Sequence, residues 1–235
     1  MDASLPIEPP LSLLEGRVLG CLIEKEFTTP DQYPLTLNAL VLACNQKSNR
    51  EPVLAVSAGD VEAALAGLRA RKLVSLFAGA DARVAKYRQT LDQVFPLDFA
   101  VEKPAWALLA ELLVRGPQTG AGLRGNALRM VPALAAVDGV EALLVELSER
   151  AGGGLVRKLA RQPGQKEARW AQRLAEEAPG AVSANAAASG NAGEGAALTV
   201  SLTLPPEVAQ RLTALEADVA QLRAELEALK KSLGE

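Results

Sequence analysis

Val61-Glu62-Ala63-Ala64-Leu65 and Val140-Glu141-Ala142-Leu143-Leu144 are near-copies of one helical segment, and what flanks each copy decides the fold. Around the first, Ser57 and Asp60 read as a capping box, and Val61, Ala64, Leu65 and Leu68 recur at the spacing of one buried helix face. Upstream lies a helix from about Ser12 to Lys25, with Leu11, Leu14, Val18 and Leu22 on one side. Thr28-Thr29-Pro30 and Tyr33-Pro34 break it, and a second helix follows with Leu37, Leu40, Val41 and Cys44 on its stripe. Downstream, Leu73 to Phe77 and Arg83 to Arg88 form two short extended runs joined by Ala78-Gly79-Ala80-Asp81-Ala82.

The same order surrounds the second copy. A helix from Pro104 to Arg115 carries Trp106, Leu109, Ala110 and Leu113 on one face, with Pro104 expected near its first turn. Gly116-Pro117 ends it, and a shorter helix spans about Ala121 to Arg129. Val140, Leu143, Leu144 and Leu147 mark the third helix, which Gly152-Gly153-Gly154 stops. Leu155 to Leu159 and Arg169 to Leu174 then flank the turn Gln162-Pro163-Gly164-Gln165. Helix, helix, helix, hairpin, twice over, is the winged-helix plan. The expected fold is therefore mainly α with small β-hairpins (α+β). It comprises two tandem winged-helix domains, at 11–98 and 99–178, after a disordered tail at 1–10.

Composition agrees. Apolar residues make up 49% of the 235 and aromatics only 3%, which suits helices packed through Leu and Ala better than a sandwich or barrel. There is no histidine, so the commonest general base and zinc ligand is missing. The acidic residues fall singly, as in Glu24-Lys25-Glu26, and read as solvated helix faces. No glycine-rich loop lies between a strand and a helix as a phosphate cradle requires. These absences predict a non-enzyme without cofactor or metal. Cys21 and Cys44 lack CxxC spacing and read as reduced core residues of a cytoplasmic protein. No apolar run approaches the ~20 residues of a membrane span, and MDASLPIEPP lacks the features of a signal peptide.

Residues 179–197 are almost wholly Ala, Gly, Ser and Asn and read as a flexible linker. Residues 198–235 read as a short strand, Leu198 to Leu204, and a heptad helix with a seam of Val208, Leu212, Leu215, Val219, Leu222, Leu226, Leu229 and Leu233. Arg211, Asp218 and Glu225 occupy g positions and Glu216, Arg223 and Lys230 occupy e positions. Every g–e′ pair is attractive in a parallel homodimer. The alternative is a helix folded back on its own domain.

Basic residues cluster on both hairpins. Arg69, Arg71, Lys72, Arg83, Lys86 and Arg88 meet one acid, Asp81; Arg157, Lys158, Arg161, Lys166, Arg169 and Arg173 meet one, Glu167. Such wings suit DNA phosphates. The third helices do not suit base reading: they present Glu62, Ala63, Ala66 and Gly67, then Glu141, Ala142 and Glu146. The polar run Asn45, Gln46, Lys47, Ser48, Asn49 and Arg50 is the better candidate reader. Its alternative is a helix C-terminus satisfying loop backbone.

The run Ile23-Glu24-Lys25-Glu26-Phe27-Thr28-Thr29-Pro30-Asp31-Gln32-Tyr33-Pro34-Leu35-Thr36-Leu37-Asn38, with Ala43 to Val53, resembles the YceH family (UPF0502, or DUF480). Arg161-Gln162-Pro163-Gly164-Gln165-Lys166-Glu167-Ala168-Arg169 resembles the same family, although Trp170 stands where its members tend to have Tyr. The resemblance spans about residues 10–175, implies tandem winged helices, and carries over no activity or catalytic residue. Two functions follow as expectations. One is DNA association through basic wings with weak base readout. The other is a protein-binding scaffold, since acidic tandem winged-helix subunits of chromosome-organising complexes resemble this layout.

Overall fold

The computed structural model describes residues 5–77, 84–135, 139–161 and 165–177. Arg83, the linker, the short strand and the heptad seam, including Leu212, Leu215, Val219, Leu222, Leu226 and Leu229, lie outside them.

Helix α1 (Leu13–Thr28) starts where the sequence supplies a capping box: the Ser12 hydroxyl accepts from Glu15 N, and the Glu15 carboxylate accepts from Ser12 N at 2.8 Å. Strand β1 (Leu35–Thr36) leads into α2 (Leu37–Cys44), whose cap is the Thr36 hydroxyl. Helix α3 (Ala58–Ala70) begins on the Ser57–Asp60 capping box. Strands β2 (Val74–Phe77) and β3 (Lys86–Gln89) form the first hairpin, and β1 pairs antiparallel with β3 to give the sheet order β1-β3-β2. A single turn, α4 (Leu91–Val94), closes this half.

The second half runs through α5 (Phe99–Arg115), α6 (Gly120–Ala127), α7 (Val140–Glu149) and the antiparallel pair β4 (Val156–Lys158) and β5 (Trp170–Gln172). The fold is α+β, helices with small antiparallel sheets. Helix α5 corrects the expected start at Pro104. The Asp98 carboxylate caps the helix from Ala100 N, so Pro104 falls in the second turn, where its missing N–H frees the Ala100 carbonyl. Helix α7 ends at Glu149, where Arg150 is already extended, and Gly152 and Gly153, both at positive φ, turn the chain just beyond it.

The repeat reaches individual hydrogen bonds. Gln89 and Gln172 each end the second hairpin strand, each is buried, and each side-chain oxygen accepts from the backbone two residues on, Leu91 N (2.8 Å) and Leu174 N (2.6 Å). In the next position Thr90 N donates to Leu73 O, and Arg173 N donates to Leu155 O, both at 2.9 Å. Ahead of α6, Gln118 exchanges backbone bonds with Trp170, as β1 does with β3 ahead of α2. Two-residue pairings of this kind are invisible to periodicity, and the sequence reading missed both.

Helices α1 and α5, the first of each half, pack on one another. Gly16 to Glu24 and Ala105 to Val114 are buried without interruption, so both helices are covered on every side and lie at the centre of one shared core. Leu11, just before α1, bonds to Leu174 and Glu176 and ties the start of the first half to the end of the second.

Candidate nucleic-acid interface

The polar segment after α2 turns inward. The Asn45 amide donates to Val56 O and accepts from Val56 N, both at 2.8 Å, and so clamps the loop between them. Gln46 accepts from Arg50 at 2.8 Å, and Asn49, in the left-handed region at φ 60°, accepts from Arg115. Arg50 is no surface reader: its guanidinium is fully buried and bonds Ala43 O, Asn49 O and Glu24. Lys47 and Ser48 are exposed, as is Asn49. Asn45, Gln46 and Arg50 thus serve the helix end and loop backbone, while residues 47–49 are exposed.

Arg50 belongs to a charge cluster that joins both halves. Glu24 on α1 lies 2.5 Å from Arg50 Nη2, and Arg129 Nη2 lies 2.5 Å from Glu24 Oε1 and 2.8 Å from Glu111 Oε1 on α5. Arg115 Nε pairs with Glu111 Oε2 at 3.0 Å. Glu24 is 1% exposed and Glu111 0%, which overturns the solvated-face reading of these acids. Burial alone would raise the Glu24 pKa, but the bonds and charges of Arg50 and Arg129 outweigh it and hold the carboxyl below its usual range.

The first hairpin keeps its charge outward. Ser75 faces Arg88 and Phe77 faces Lys86 across the pair, so these four share the side opposite Leu76 and Tyr87. Arg88 and Phe77 are exposed there, Lys86 is half-buried, and Arg69 is exposed in the last turn of α3. Arg71 instead donates to Pro9 O. Lys72 is exposed with φ 60°. It is the left-handed residue of a Schellman ending, because Leu73 N bonds Leu68 O and Lys72 N bonds Arg69 O, both at 3.0 Å. Glycine ordinarily fills that place.

The second hairpin pairs part of its charge with acids near the surface. Lys158 lies 2.5 Å from Glu141 and 5.3 Å above the Trp170 ring, and Arg157 pairs with Glu177. Trp170 Nε1 donates to the same Glu141 carboxylate at 3.1 Å, and the Lys158 bond first, then that from Trp170, lowers the Glu141 pKa. Glu141, at the start of α7, thus offsets the charge of Lys158. Arg161, Lys166 and Arg169 remain exposed, while Arg173 is half-buried.

The family profile described as "Protein of unknown function, DUF480" matches residues 11–165. A UPF0502 protein of Pelobacter propionicus is 55% identical over 164 residues, 70% of this chain and 72% of the relative. One from Aeromonas hydrophila is 42% identical over 236 residues, covering 96% of this chain and 97% of its own. The chain belongs to the UPF0502 family. One from Geobacter sulfurreducens is 46% identical and covers 90% of each chain.

The family match takes in the charge cluster and the whole first hairpin and ends inside the second. In this UPF0502 chain, residues 11–98 hold equal numbers of basic and acidic side chains and 99–177 a small basic excess. The net charge of −3 therefore arises outside the folded halves. Among the described residues, no helix is long and apolar enough to cross a membrane.

Proposed function

We propose that this chain is a tandem winged-helix protein that holds the phosphate backbone of duplex DNA through its first wing and reads no base. The observation that carries the reading is Lys72. A non-glycine residue in the left-handed region at a helix end costs about 1 kcal/mol against glycine. A cation kept there, three residues after exposed Arg69 and leading into the hairpin that carries Lys86 and Arg88, is explained by what its charge does. The repeated glutamine and backbone bonds support the two-winged architecture. Among the described residues, the acidic, small-residue faces of α3 and α7 and the inward bonds of Asn45, Gln46 and Arg50 leave few side chains to read base edges.

Fluorescence anisotropy with a labelled duplex, titrated across salt, tests this. Binding is expected at low salt, with affinity falling by about one log unit per log of salt for each phosphate contacted. Lys72→Gly is the diagnostic variant: it should stabilise the fold by about 1 kcal/mol in urea yet weaken binding and lower the salt slope by about one. Arg157→Gln with Lys158→Gln should change binding less, because both side chains are paired with acids. No binding to any duplex at low salt would sink the proposal.

A second reading, a protein-binding scaffold, is favoured by the exposed apolar side chains Leu42, Phe77 and Phe99, the last 85% exposed. Under that reading, pulldown partners survive neutralisation of Arg69, Lys72 and Arg88 and are lost on Phe77→Ser. Either reading includes a homodimer through the terminal heptads. Sedimentation should find a dimer that Leu222→Pro converts to monomer.

A further inference from the structure

Chemistry outside the hairpins gathers where α1 meets α2. Cys21 and Cys44 are the only two cysteines in the chain. Both are buried and free, and the Cys44 thiol donates to the Cys21 sulfur at 4.0 Å. One turn before Cys21 stands Arg17, 1% exposed. Its Nη1 and Nη2 reach only carbonyl oxygens, those of Cys44 (3.5 Å) and Pro52 (2.8 Å), and its buried Nε meets no acceptor. A guanidinium taken out of water without a carboxylate partner favours any anion that can form beside it. After burial itself, a charge on Cys21, one turn along α1, would act on Arg17 most strongly, ahead of Glu51. The charge of Arg50 also favours a thiolate at Cys21, and that of Glu24 opposes it. The hydrogen bond from Cys44, then Arg50 and Arg17, hold the Cys21 thiol below its ordinary value against the penalty of burial.

We propose that Cys21 and Cys44 are an oxidisable dithiol whose oxidant is hydrogen peroxide, with Cys21 the attacking sulfur and Cys44 the resolving one. The Cys21 thiolate attacks one peroxide oxygen, the O–O bond breaks, and hydroxide leaves to become water with a solvent proton. The product is a sulfenic acid on Cys21. The Cys44 sulfur then attacks the Cys21 sulfur, the S–O bond breaks, and the departing hydroxide takes the Cys44 proton as water. Two thiols have lost two electrons, and one peroxide has become two waters. Peroxide is little larger than water, and Cys44 is the last residue of α2, so opening of that final turn admits it.

The disulfide removes the sulfur that can ionise near Arg17 and redirects the residue whose carbonyl Arg17 holds. The loop clamped by Asn45 and Val56 and by Arg17 and Pro52 then loses a fixed anchor. Oxidation is thereby coupled to the segment that lies against the charge cluster.

The experiment uses the full chain, reduced and then treated with peroxide. Maleimide titration under denaturing conditions should fall from both thiols to none, and the intact mass should drop by two hydrogen atoms with the chain still single on a non-reducing gel. A digest should contain one peptide joining Cys21 to Cys44. With dimedone present, Cys44→Ser should be labelled at Cys21, whereas Cys21→Ser should stay unlabelled at Cys44. In glutathione buffers the folded chain should half-oxidise at a ratio at least about tenfold more reducing than the guanidine-unfolded chain, because the fold holds the sulfurs together. Amide exchange should rise across 45–56 on oxidation. Two thiols left intact by peroxide that oxidises free cysteine would overturn the proposal, as would a disulfide formed only between chains. Labelling of Cys44 in preference to Cys21 would overturn the assignment of roles. The mass and the cross-link are read on the unsubstituted protein, so a variant that fails to fold cannot rescue the idea.

Discussion

Glu24→Gln is expected to destabilise the protein by about 3–5 kcal/mol, because it strips the counter-charge from a guanidinium that has no access to water. Arg50 keeps its bonds to Ala43 O, Asn49 O and Gln46 in the variant, but its positive charge stays buried without compensation. Arg129 suffers less, since its side chain is 35% exposed and Glu111 remains 2.8 Å away. Urea unfolding at pH 7 should show a lower midpoint with an unchanged slope. The double variant Glu24→Leu, Arg50→Met removes both charges and should recover most of the loss, a coupling that a simple cavity would not produce. The acid limb carries the same information. Glu24 has a lowered native pKa, so its contribution is fully present above the unfolded carboxylate value near ~4.3 and disappears as the pH falls through the lower native one. Wild-type stability should therefore decline below about pH 5, and Glu24→Gln should decline less steeply. Equal slopes in the two proteins would mean that Glu24 is not held ionised by Arg50 and Arg129.

Gly20→Ala should also destabilise, by about 1–3 kcal/mol, although the same change inside an ordinary helix stabilises by about 1. A Cβ on Gly20 would lie 2.8 Å from the Leu113 Cβ and 2.9 Å from the Val114 Cγ1, both on α5, and neither atom is the free end of a flexible chain. The two helices must separate to admit it, and the larger Gly20→Val should cost more. Gly125, in α6, is the control: nothing lies within 4 Å of the same added carbon, so Gly125→Ala should stabilise by about 0.5–1 kcal/mol. Thermal melts of the pair should move in opposite directions. If both rise, the α1–α5 contact is looser than the structure has it.

Much of this was legible beforehand because each helix advertises itself locally. The stripe Val61, Ala64, Leu65 and Leu68 lies on the buried side of α3, and its Ser57–Asp60 box closes as expected. What escaped depends on partners distant in sequence. Glu24 and Glu111 look like any surface acids until Arg50 and Arg129 arrive from other elements. The run from Asn45 to Arg50 has a surface composition, yet most of it bonds inward, because a buried guanidinium and a clamped loop need polar neighbours. Lys158 and Arg157 counted as free positive charge in sequence, since Glu141 and Glu177 lie far along the chain. The start of α5 was misplaced because Pro104 outranked Asp98 as a signal. The proximity of the two sulfurs has no sequence signature at all.

The seam between α1 and α5 makes the molecule severable in an instructive way. A cut in the stretch Pro96-Leu97-Asp98 would give two pieces, each beginning with, or close to, a helix whose apolar flank has lost its cover. Each piece alone should be sticky and poorly folded, and the two together should recombine, as fragments do when the surface they bury matches a domain core rather than an association face. Gly16 and Gly20 would then govern recombination, because they set how close the fragments come. The halves share hairpin-end glutamines and pairings ahead of their second helices, yet neither would be a module that could be transplanted on its own.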